Sequence, residues 1–220
     1  MLILFDFDGT VADTAPGVLG CTREALAAMR YPVPEEATLR LFLGPPINWA
    51  MRELAHVKEE DVEQAVEEFR SRYRAGGMFD CTVFPGVREL LSELREAGHT
   101  VAIVSAKPEP FVKQITERLG IRDLFDTIAG APMDERLADK ANNIRRAMEA
   151  TGFSGRPEEV VMVGDRKYDI EGAKTCGVRS VGVLYGYGSR EELETAGADV
   201  LAATAEEIKD LLSGRKDGRP

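Results

Sequence analysis

Short apolar runs recur along this chain, and in its second part they alternate with helical patterns. The first run begins at Leu2, and later ones cover residues 100–104, 127–129, 160–163, 179–183 and 199–201. Continuous runs of this kind are typical of strands that are buried on both faces of a sheet. Their alternation with helices predicts an α/β fold whose strands form a doubly wound parallel sheet.

Residues 15–82 interrupt this alternation, because they carry helical patterns alone. These patterns cover residues 16–29, 36–43, 48–55 and 60–73. A crossover between parallel strands needs only about a dozen residues, so the segment is far longer than a connection requires. One alternative is a long crossover that packs as part of a single domain. We predict instead an α/β core of residues 1–14 and 83–220, with residues 15–82 inserted as an all-helical domain.

Two carboxylates follow the first apolar run. Asp6 and Asp8 are separated by Phe7, and on an extended segment such side chains point to the same side. They would repel unless a cation or a shared proton lay between them, which is the arrangement of a metal site. Gly9 permits a sharp turn, and Thr10 supplies a hydroxyl at the rim as a candidate substrate contact. A solvated turn explains the same residues, so this pattern alone leaves both interpretations open.

Four motifs in order resemble those of the haloacid dehalogenase-like hydrolases. The first is Asp-Phe-Asp-Gly-Thr-Val-Ala-Asp-Thr at residues 6–14, and the second is Ser105 at the end of a predicted strand. The third is Lys140, and the fourth is Gly-Asp-Arg-Lys-Tyr-Asp at residues 164–169. Each motif is weak by itself. Together, in this order and over essentially the whole chain, they identify it as a member of that superfamily.

The resemblance implies a magnesium-dependent reaction at the first and fourth motifs. Asp6 would be the nucleophile that forms an aspartyl-phosphate. Asp8 would bind Mg²⁺ through its backbone carbonyl, while its side chain acts as general acid and base. Asp165 would bind the metal directly, with Asp169 supporting the ligands or a metal-bound water. Mg²⁺ suits such a set, because it binds through a few carboxylates, water and the substrate phosphate.

Residues of the second and third motifs would hold the phosphate. These are the hydroxyl of Ser105, the amide of Ala106 and the side chain of Lys107. Ala106 stands where close phosphatase relatives often carry Asn, which removes one side-chain hydrogen bond. Lys140 would neutralise the nucleophile and the phosphoryl group, with Lys107 and Lys113 as rivals for that role.

The helical insertion and the continuation of the first motif into Ala15-Pro16 resemble the phosphoglycolate phosphatase-like branch, whose inserted helices cap the active site. Residues 16–21 contain no histidine, whereas β-phosphoglucomutases commonly have one there. The dehalogenase branch lacks an acid at the position of Asp8. These features favour a phosphatase that acts on a small, phosphoglycolate-like metabolite. A mutase of the β-phosphoglucomutase type, a pyrophosphatase or 5'-nucleotidase, and a regulatory binding module on the same fold stay open.

The cap selects what is attached to the phosphate, so resemblance in the core says little about the leaving group. Gly44, Trp49 and Arg52 are the first candidates in the cap for contact with the substrate. Trp49 can stack on a ring, although a single tryptophan on a helix is more often part of the core.

The composition of the chain restricts the classes of partner that it can bind. The net charge of −10 argues against nucleic acid, which requires a broad basic face. A small phosphate ester stays compatible with an acidic chain, because a metal and a few cations make a local positive pocket. No apolar stretch approaches the ~20 residues of a membrane span, and the N-terminal run lacks a basic leader. We expect a cytoplasmic protein that does not bind membranes and is a monomer or homodimer.

Overall fold

The computed structural model describes residues 1–133 and 139–212. Its strands are β1 (Leu2–Phe5), β2 (Ala12–Asp13), β3 (Thr82–Val83), β4 (Thr100–Pro108), β5 (Thr127–Ala131), β6 (Val160–Gly164), β7 (Arg179–Val183) and β8 (Val200–Ala202). Six of them form one parallel sheet in the order β5-β4-β1-β6-β7-β8. The predicted α/β fold with a doubly wound parallel sheet is confirmed.

Strand β1 lies in the middle of this sheet and is fully buried. Leu2 is in register with Thr100 of β4 on one side and with Val160 of β6 on the other. The chain adds β4 and β5 on the first side and β6, β7 and β8 on the second, so the strand order changes direction at β1. In open parallel sheets, a crevice forms at such a point outside the carboxyl ends of the strands.

Helices cover both faces of the sheet. The described helices are α1 (Ala15–Ala28), α2 (Glu36–Arg40), α3 (Ile47–Glu53), α4 (Glu59–Ala75), α5 (Val87–Glu96), α6 (Glu109–Arg118), α7 (Lys140–Ala150), α8 (Lys167–Cys176), α9 (Arg190–Ala196) and α10 (Ala205–Leu212). Of these, α5, α6, α7, α8 and α10 pack against the strands of the sheet. Phe5 belongs to a hydrophobic cluster with Leu91 of α5, whereas Leu4 belongs to a second cluster with Ile144 of α7. Among the described residues, no helix combines the length and the apolarity that crossing a membrane requires.

Helices α1 to α4 lie between β2 and β3. These two strands pair antiparallel, with Ala12 opposite Val83, so the chain leaves the sheet region and returns to it at adjacent points. Helix α4 packs against α1. Each buried residue of α4 has another buried residue three or four positions away, as one helix face requires: Val62, Ala65, Val66, Phe69 and Tyr73.

The sequence pattern does not predict β2, β3 or α9. Strands β2 and β3 have two residues each, too few for an alternation to be recognised. Helix α9 has Leu193 as its one buried residue, and so it shows no apolar stripe. Its start is instead fixed by Ser189, whose hydroxyl accepts a hydrogen bond from the backbone N–H of Glu192 at 3.0 Å.

Candidate active site

Three carboxylates meet at the carboxyl end of the central strands. Asp6 directly follows β1, Asp165 directly follows β6, and Asp169 lies in the first turn of α8. Each offers an oxygen that lies within 4.8 Å of the others, and all three residues are buried. Parallel strand ends bring together residues that are far apart in the sequence. The structure therefore unites the first and fourth sequence motifs in one cluster.

Lys140, the first residue of α7, joins this cluster. Its Nζ lies 2.8 Å from Oδ1 of Asp6 and 2.7 Å from Oδ1 of Asp169. It also donates to the backbone carbonyl of Val104 at 3.2 Å. Of its rivals, Lys113 pairs with Glu109 at the surface, and Lys107 pairs with a different carboxylate, as described below.

The electrostatics of the cluster favour added positive charge. Burial is the main cause that raises the pKa of Asp6 to about 7; Lys140 opposes it, and the charges of Asp169 and Asp8 add to it. Burial also raises the pKa of Asp165, as do the carboxylates of Asp6 and Asp169. Burial disfavours the charged form of Lys140, but the charges of Asp169 and Asp6 outweigh it and hold the pKa of that ammonium above its usual value.

The donor set fits Mg²⁺. Three carboxylates and one ammonium leave a formal charge of −2, which a divalent cation would balance. Carboxylate oxygens are the ligands that this hard ion prefers, and it usually takes only a few of them together with water and phosphate oxygens. Asp6, Asp165 and Asp169 are the residues whose side chains would hold it, and binding through the backbone carbonyl of Asp8 stays a prediction.

Asp165 is fixed by contacts from two other segments. Its Oδ1 accepts from the hydroxyl of Thr10 at 3.1 Å, and its Oδ2 accepts from the backbone N–H of Tyr187 at 2.7 Å. Gly9 has φ of +86°, and a Cβ there or on Gly186 would overlap Asp165. The prediction of Thr10 as a substrate contact at the rim needs correction. Its side chain is fully buried, and it positions a candidate metal ligand.

Asp8 is directed away from the three-carboxylate cluster. Its Oδ1 lies 2.7 Å from the Nζ of Lys107 and accepts a hydrogen bond from the hydroxyl of Thr14. Burial disfavours the charged form of Lys107, but the charges of Asp8 and Tyr73 hold its pKa above the usual value. The Asp8 carboxylate thus lies next to a buried cation rather than within the candidate metal site.

Ser105 lies on the neighbouring strand β4 and is buried. Its hydroxyl accepts from the backbone N–H of Lys107 at 3.1 Å, and its carbonyl accepts from the amide of Asn143 at 3.0 Å. Ser105 and Ala106 line the cavity that contains Asp6. The structure therefore brings the second motif to the same place as the first, third and fourth.

The cavity has a volume of about 560 Å³ and is lined by residues of the sheet edge and of the helical segment between β2 and β3. Gly44 and Trp49 are among its lining residues, and their contact with the substrate stays a prediction. Arg52 is not among the described residues that line it. Its guanidinium donates two hydrogen bonds to Glu59, at 2.6 and 2.9 Å, on the outer surface, so its prediction as a substrate contact needs correction.

Sequence reasoning missed Tyr187. Its hydroxyl accepts from the backbone N–H groups of Thr14 and Ala15, at 2.7 and 3.0 Å, and donates to Oδ1 of Asp13 at 2.9 Å. Its own backbone N–H holds Asp165. The one local signal is the Tyr-Gly-Tyr-Gly segment at residues 185–188, where small residues allow the chain to approach the site closely.

Residues 3–183 match the family model described as Haloacid dehalogenase-like hydrolase. The chain belongs to the haloacid dehalogenase-like hydrolase family. The match runs from β1 to the end of β7 and includes all four motifs. It confirms the resemblance that those motifs indicate.

Curated relatives of this haloacid dehalogenase-like hydrolase carry different names. The tyrosine-protein kinase PtkA of Mycobacterium tuberculosis is 34% identical over 213 residues, which are 96% of this chain and 72% of that protein. A 5'-nucleotidase of Pseudomonas aeruginosa is 35% identical over 191 residues, or 87% of this chain and 86% of that protein. A phosphoglycolate phosphatase of Vibrio parahaemolyticus is 30% identical over 221 residues and 96% of each chain.

A solved structure agrees with the phosphatase relatives. A predicted phosphatase from Clostridium acetobutylicum matches with a TM-score of 0.90 at 34% identity, over 96% of this chain and 97% of that one. This haloacid dehalogenase-like hydrolase is therefore a phosphatase of the phosphoglycolate phosphatase-like branch.

Proposed function

We propose that the chain is a magnesium-dependent phosphatase that hydrolyses a small phosphate ester through an aspartyl-phosphate on Asp6. The observation that carries this proposal is the position of Asp6. Its carboxylate faces a cavity, and it belongs to a buried group with Asp165, Asp169 and Lys140. When bound there, Mg²⁺ would offset the negative charge of the cluster and of the phosphate.

In the first step, Asp6 attacks phosphorus and the bond between phosphorus and the ester oxygen breaks. Lys140 donates to Oδ1 of Asp6, which leaves Oδ2 for the attack. The electron pair of the broken bond goes to the ester oxygen, which takes a proton from the Asp8 carboxyl. The hydroxyl of Ser105 and the charge of Lys140 hold the transferring group.

In the second step, water hydrolyses the aspartyl-phosphate. Asp8, now without its proton, accepts one from the water as it attacks phosphorus, and Asp6 is released as a carboxylate. Thr14 and Lys107 hold the Asp8 side chain for both transfers.

Residues 15–82 form the cap in this proposal. The antiparallel pairing of β2 and β3 supports the predicted boundary. The chain enters the helical segment after β2 and leaves it before β3, so the two connections to the core lie side by side. The cap would close over the bound ester and exclude water other than the one that reacts.

Substitution of the two first-motif acids tests the mechanism. Asp6→Asn keeps the shape of the side chain but not its nucleophilicity, so we expect kcat to fall about a thousandfold or more. Asp8→Asn should lower kcat by about 10²–10⁴-fold, because the proton donor is lost. Asp123→Asn, an exposed site on the core, is the matched control. The readout is inorganic phosphate released from a panel of phosphate esters with Mg²⁺, and near-normal turnover by Asp6→Asn would reject the covalent mechanism.

The relative named as a tyrosine-protein kinase supports a second candidate, transfer of a phosphoryl group from ATP to a tyrosine hydroxyl. The chain has no Gly-x-x-x-x-Gly-Lys-Ser/Thr phosphate loop, so the nucleotide would need another binding mode. Incubation with γ-labelled ATP, Mg²⁺ and a tyrosine peptide separates the two activities. Label in inorganic phosphate supports the hydrolase, and label retained on tyrosine supports the kinase.

A further inference from the structure

Aromatic side chains line the cavity beside the carboxylate of Asp8. Phe69 and Tyr73 of α4 stack with ring centroids 5.3 Å apart, and Tyr73 meets Phe111 of α6 edge-on at 5.5 Å. The Nζ of Lys107 lies 5.1 Å from the centroid of the Tyr73 ring and 2.7 Å from Oδ1 of Asp8. Phe69, Tyr73 and Phe111 therefore form an aromatic wall of the cavity. This wall begins beside Asp8, where the leaving oxygen would receive its proton.

The same cavity is also lined by aromatic residues that are partly exposed. Trp49 of α3 is 43% exposed and Tyr168 of α8 is 36% exposed, and both line the same cavity. Phe42 and Ile47 line it between the helices. Apolar surface that collects in one concave region is typical of a binding site, whereas scattered exposed residues are not.

The cavity is larger than the leaving group of phosphoglycolate, a two-carbon acid, requires. The cavity of about 560 Å³ lies within the range of ~300–1,000 Å³ that encloses drug-sized ligands. In the proposed reaction the phosphate would occupy only the end near Asp6, Ser105 and Lys140. The rest of the space faces the aromatic wall, where an apolar ring gains burial and stacking.

The charges around the cavity do not favour a short acidic leaving group. Apart from the two site lysines, the basic residues among the described lining are Arg70, Arg145 and Arg166. Arg166 is paired with Glu192 at 2.9 Å, Arg70 donates to the backbone carbonyl of Met133 at 3.0 Å, and Arg145 donates to the amide oxygen of Asn142 at 3.2 Å. A substrate carboxylate would compete with these partners, whereas an uncharged ring would not.

We propose that the substrate of this phosphatase joins its phosphate to a group that contains an uncharged planar ring. The ring lies between Trp49 and the wall of Phe69, Tyr73 and Phe111. This inference rests on the proposed function, since the ring belongs to the leaving group of that reaction. It favours ring-bearing esters over phosphoglycolate.

Three esters of primary alcohols test the preference. Benzyl phosphate, ethyl phosphate and phosphoglycolate share the same type of ester bond, so differences between them report on the group attached. With Mg²⁺ and phosphate release as the readout, we expect kcat/KM for benzyl phosphate to exceed the other two about tenfold or more. Equal values, or a preference for phosphoglycolate, would overturn the proposal.

Substitutions in the wall locate the preference. Trp49→Ala and Phe69→Leu should each lower the ratio of kcat/KM for benzyl to ethyl phosphate several-fold. The control is Leu41→Ala, because Leu41 is 51% exposed and is not among the described residues that line the cavity. An unchanged ratio in both Trp49→Ala and Phe69→Leu would contradict the assigned position of the ring.

A binding measurement separates this inference from the proposed reaction. Trp49 is the single tryptophan of the chain, so its fluorescence reports on this cavity. In the presence of Mg²⁺, benzylphosphonate should change that fluorescence at about tenfold lower concentration than ethylphosphonate. Ring-selective binding without phosphate release would contradict only the proposed hydrolysis. Phosphate release without ring selectivity in kinetics and binding would contradict only the ring.

Discussion

Lys140 places its positive charge between two acids of the candidate site. Two buried carboxylates contact its ammonium, at 2.8 Å for Asp6 and 2.7 Å for Asp169. Removal of one partner from a buried ion pair leaves an uncompensated charge, which costs far more than loss of a surface pair. The same ammonium lies where it can act on the phosphoryl group, which every substrate shares.

Lys140→Met should therefore affect both stability and rate. Without Mg²⁺, we expect the free energy of unfolding to fall by about 3–5 kcal/mol. With Mg²⁺, kcat/KM should fall about 10²–10³-fold on every ester, because the lost charge acts on the common group. Denaturant unfolding and phosphate release measure the two effects. Lys113→Met is the control, since its exposed pair with Glu109 contributes about 0.5 kcal/mol at most. A loss confined to one ester would contradict this role.

The residues at the ends of the strands could be predicted from the sequence, but their orientation could not. Asp6, Asp165 and Ser105 follow buried runs, and strand ends in a parallel sheet converge. Thr10 and Arg52 show what such reasoning lacks. Thr10 turns inward because the partner of its hydroxyl is Asp165, which is far away in the sequence. Arg52 turns outward because Glu59 lies within reach.

At the scale of elements, the predicted strands and longer helices agree with the structure because each carries a continuous or periodic apolar pattern. The elements that were not predicted lack such a pattern. Segments outside the helices and strands also carry no such pattern. Residues 184–188 have no regular structure, and yet they connect two parts of the site. Tyr187 reaches the start of α1 through its hydroxyl and Asp165 through its backbone.

Tyr187→Phe tests that connection. The variant loses the hydroxyl contacts with Thr14, Ala15 and Asp13, but keeps the backbone bond to Asp165. The backbone N–H of Thr14 loses its partner, whereas that of Ala15 still donates to Oδ1 of Asp13 at 3.1 Å. The unpartnered N–H should lower stability by about 1–3 kcal/mol. We expect KM to rise while the Mg²⁺ concentration for half-maximal rate stays constant, because the cap is affected and the metal ligands are not. A changed Mg²⁺ requirement with an unchanged KM would contradict this assignment.

Tyr185→Phe provides the comparison for that experiment. Its hydroxyl donates to the backbone carbonyl of Thr10 at 3.0 Å, a residue that precedes α1. A similar loss of stability is expected without the rise in KM. The pair of variants therefore distinguishes a contact with the cap from a contact within the core.

For the whole molecule, the acidic composition and the phosphate chemistry are compatible because charge is arranged locally. The chain has a net charge of −10, yet Lys107 pairs with Asp8, and Lys140 pairs with the buried Asp6 and Asp169, at the cavity. What remains is a compact excess of negative charge at Asp6, Asp165 and Asp169. The cytoplasmic location and the monomeric or homodimeric state stay predictions.

Magnesium should stabilise the folded chain through this excess charge. An ion that binds the folded state alone adds about 2.7 kcal/mol at a concentration of 100 Kd, so Tm should rise with Mg²⁺ and fall again with excess chelator. Asp165→Asn removes one of the three carboxylates, and burial together with the charges of Asp6 and Asp169 already raises the pKa of that group. The variant should lose most of the rise in Tm, whereas Asp123→Asn should keep it. A wild-type Tm that does not respond to Mg²⁺, or an equal rise in Asp165→Asn, would remove the metal from this cluster.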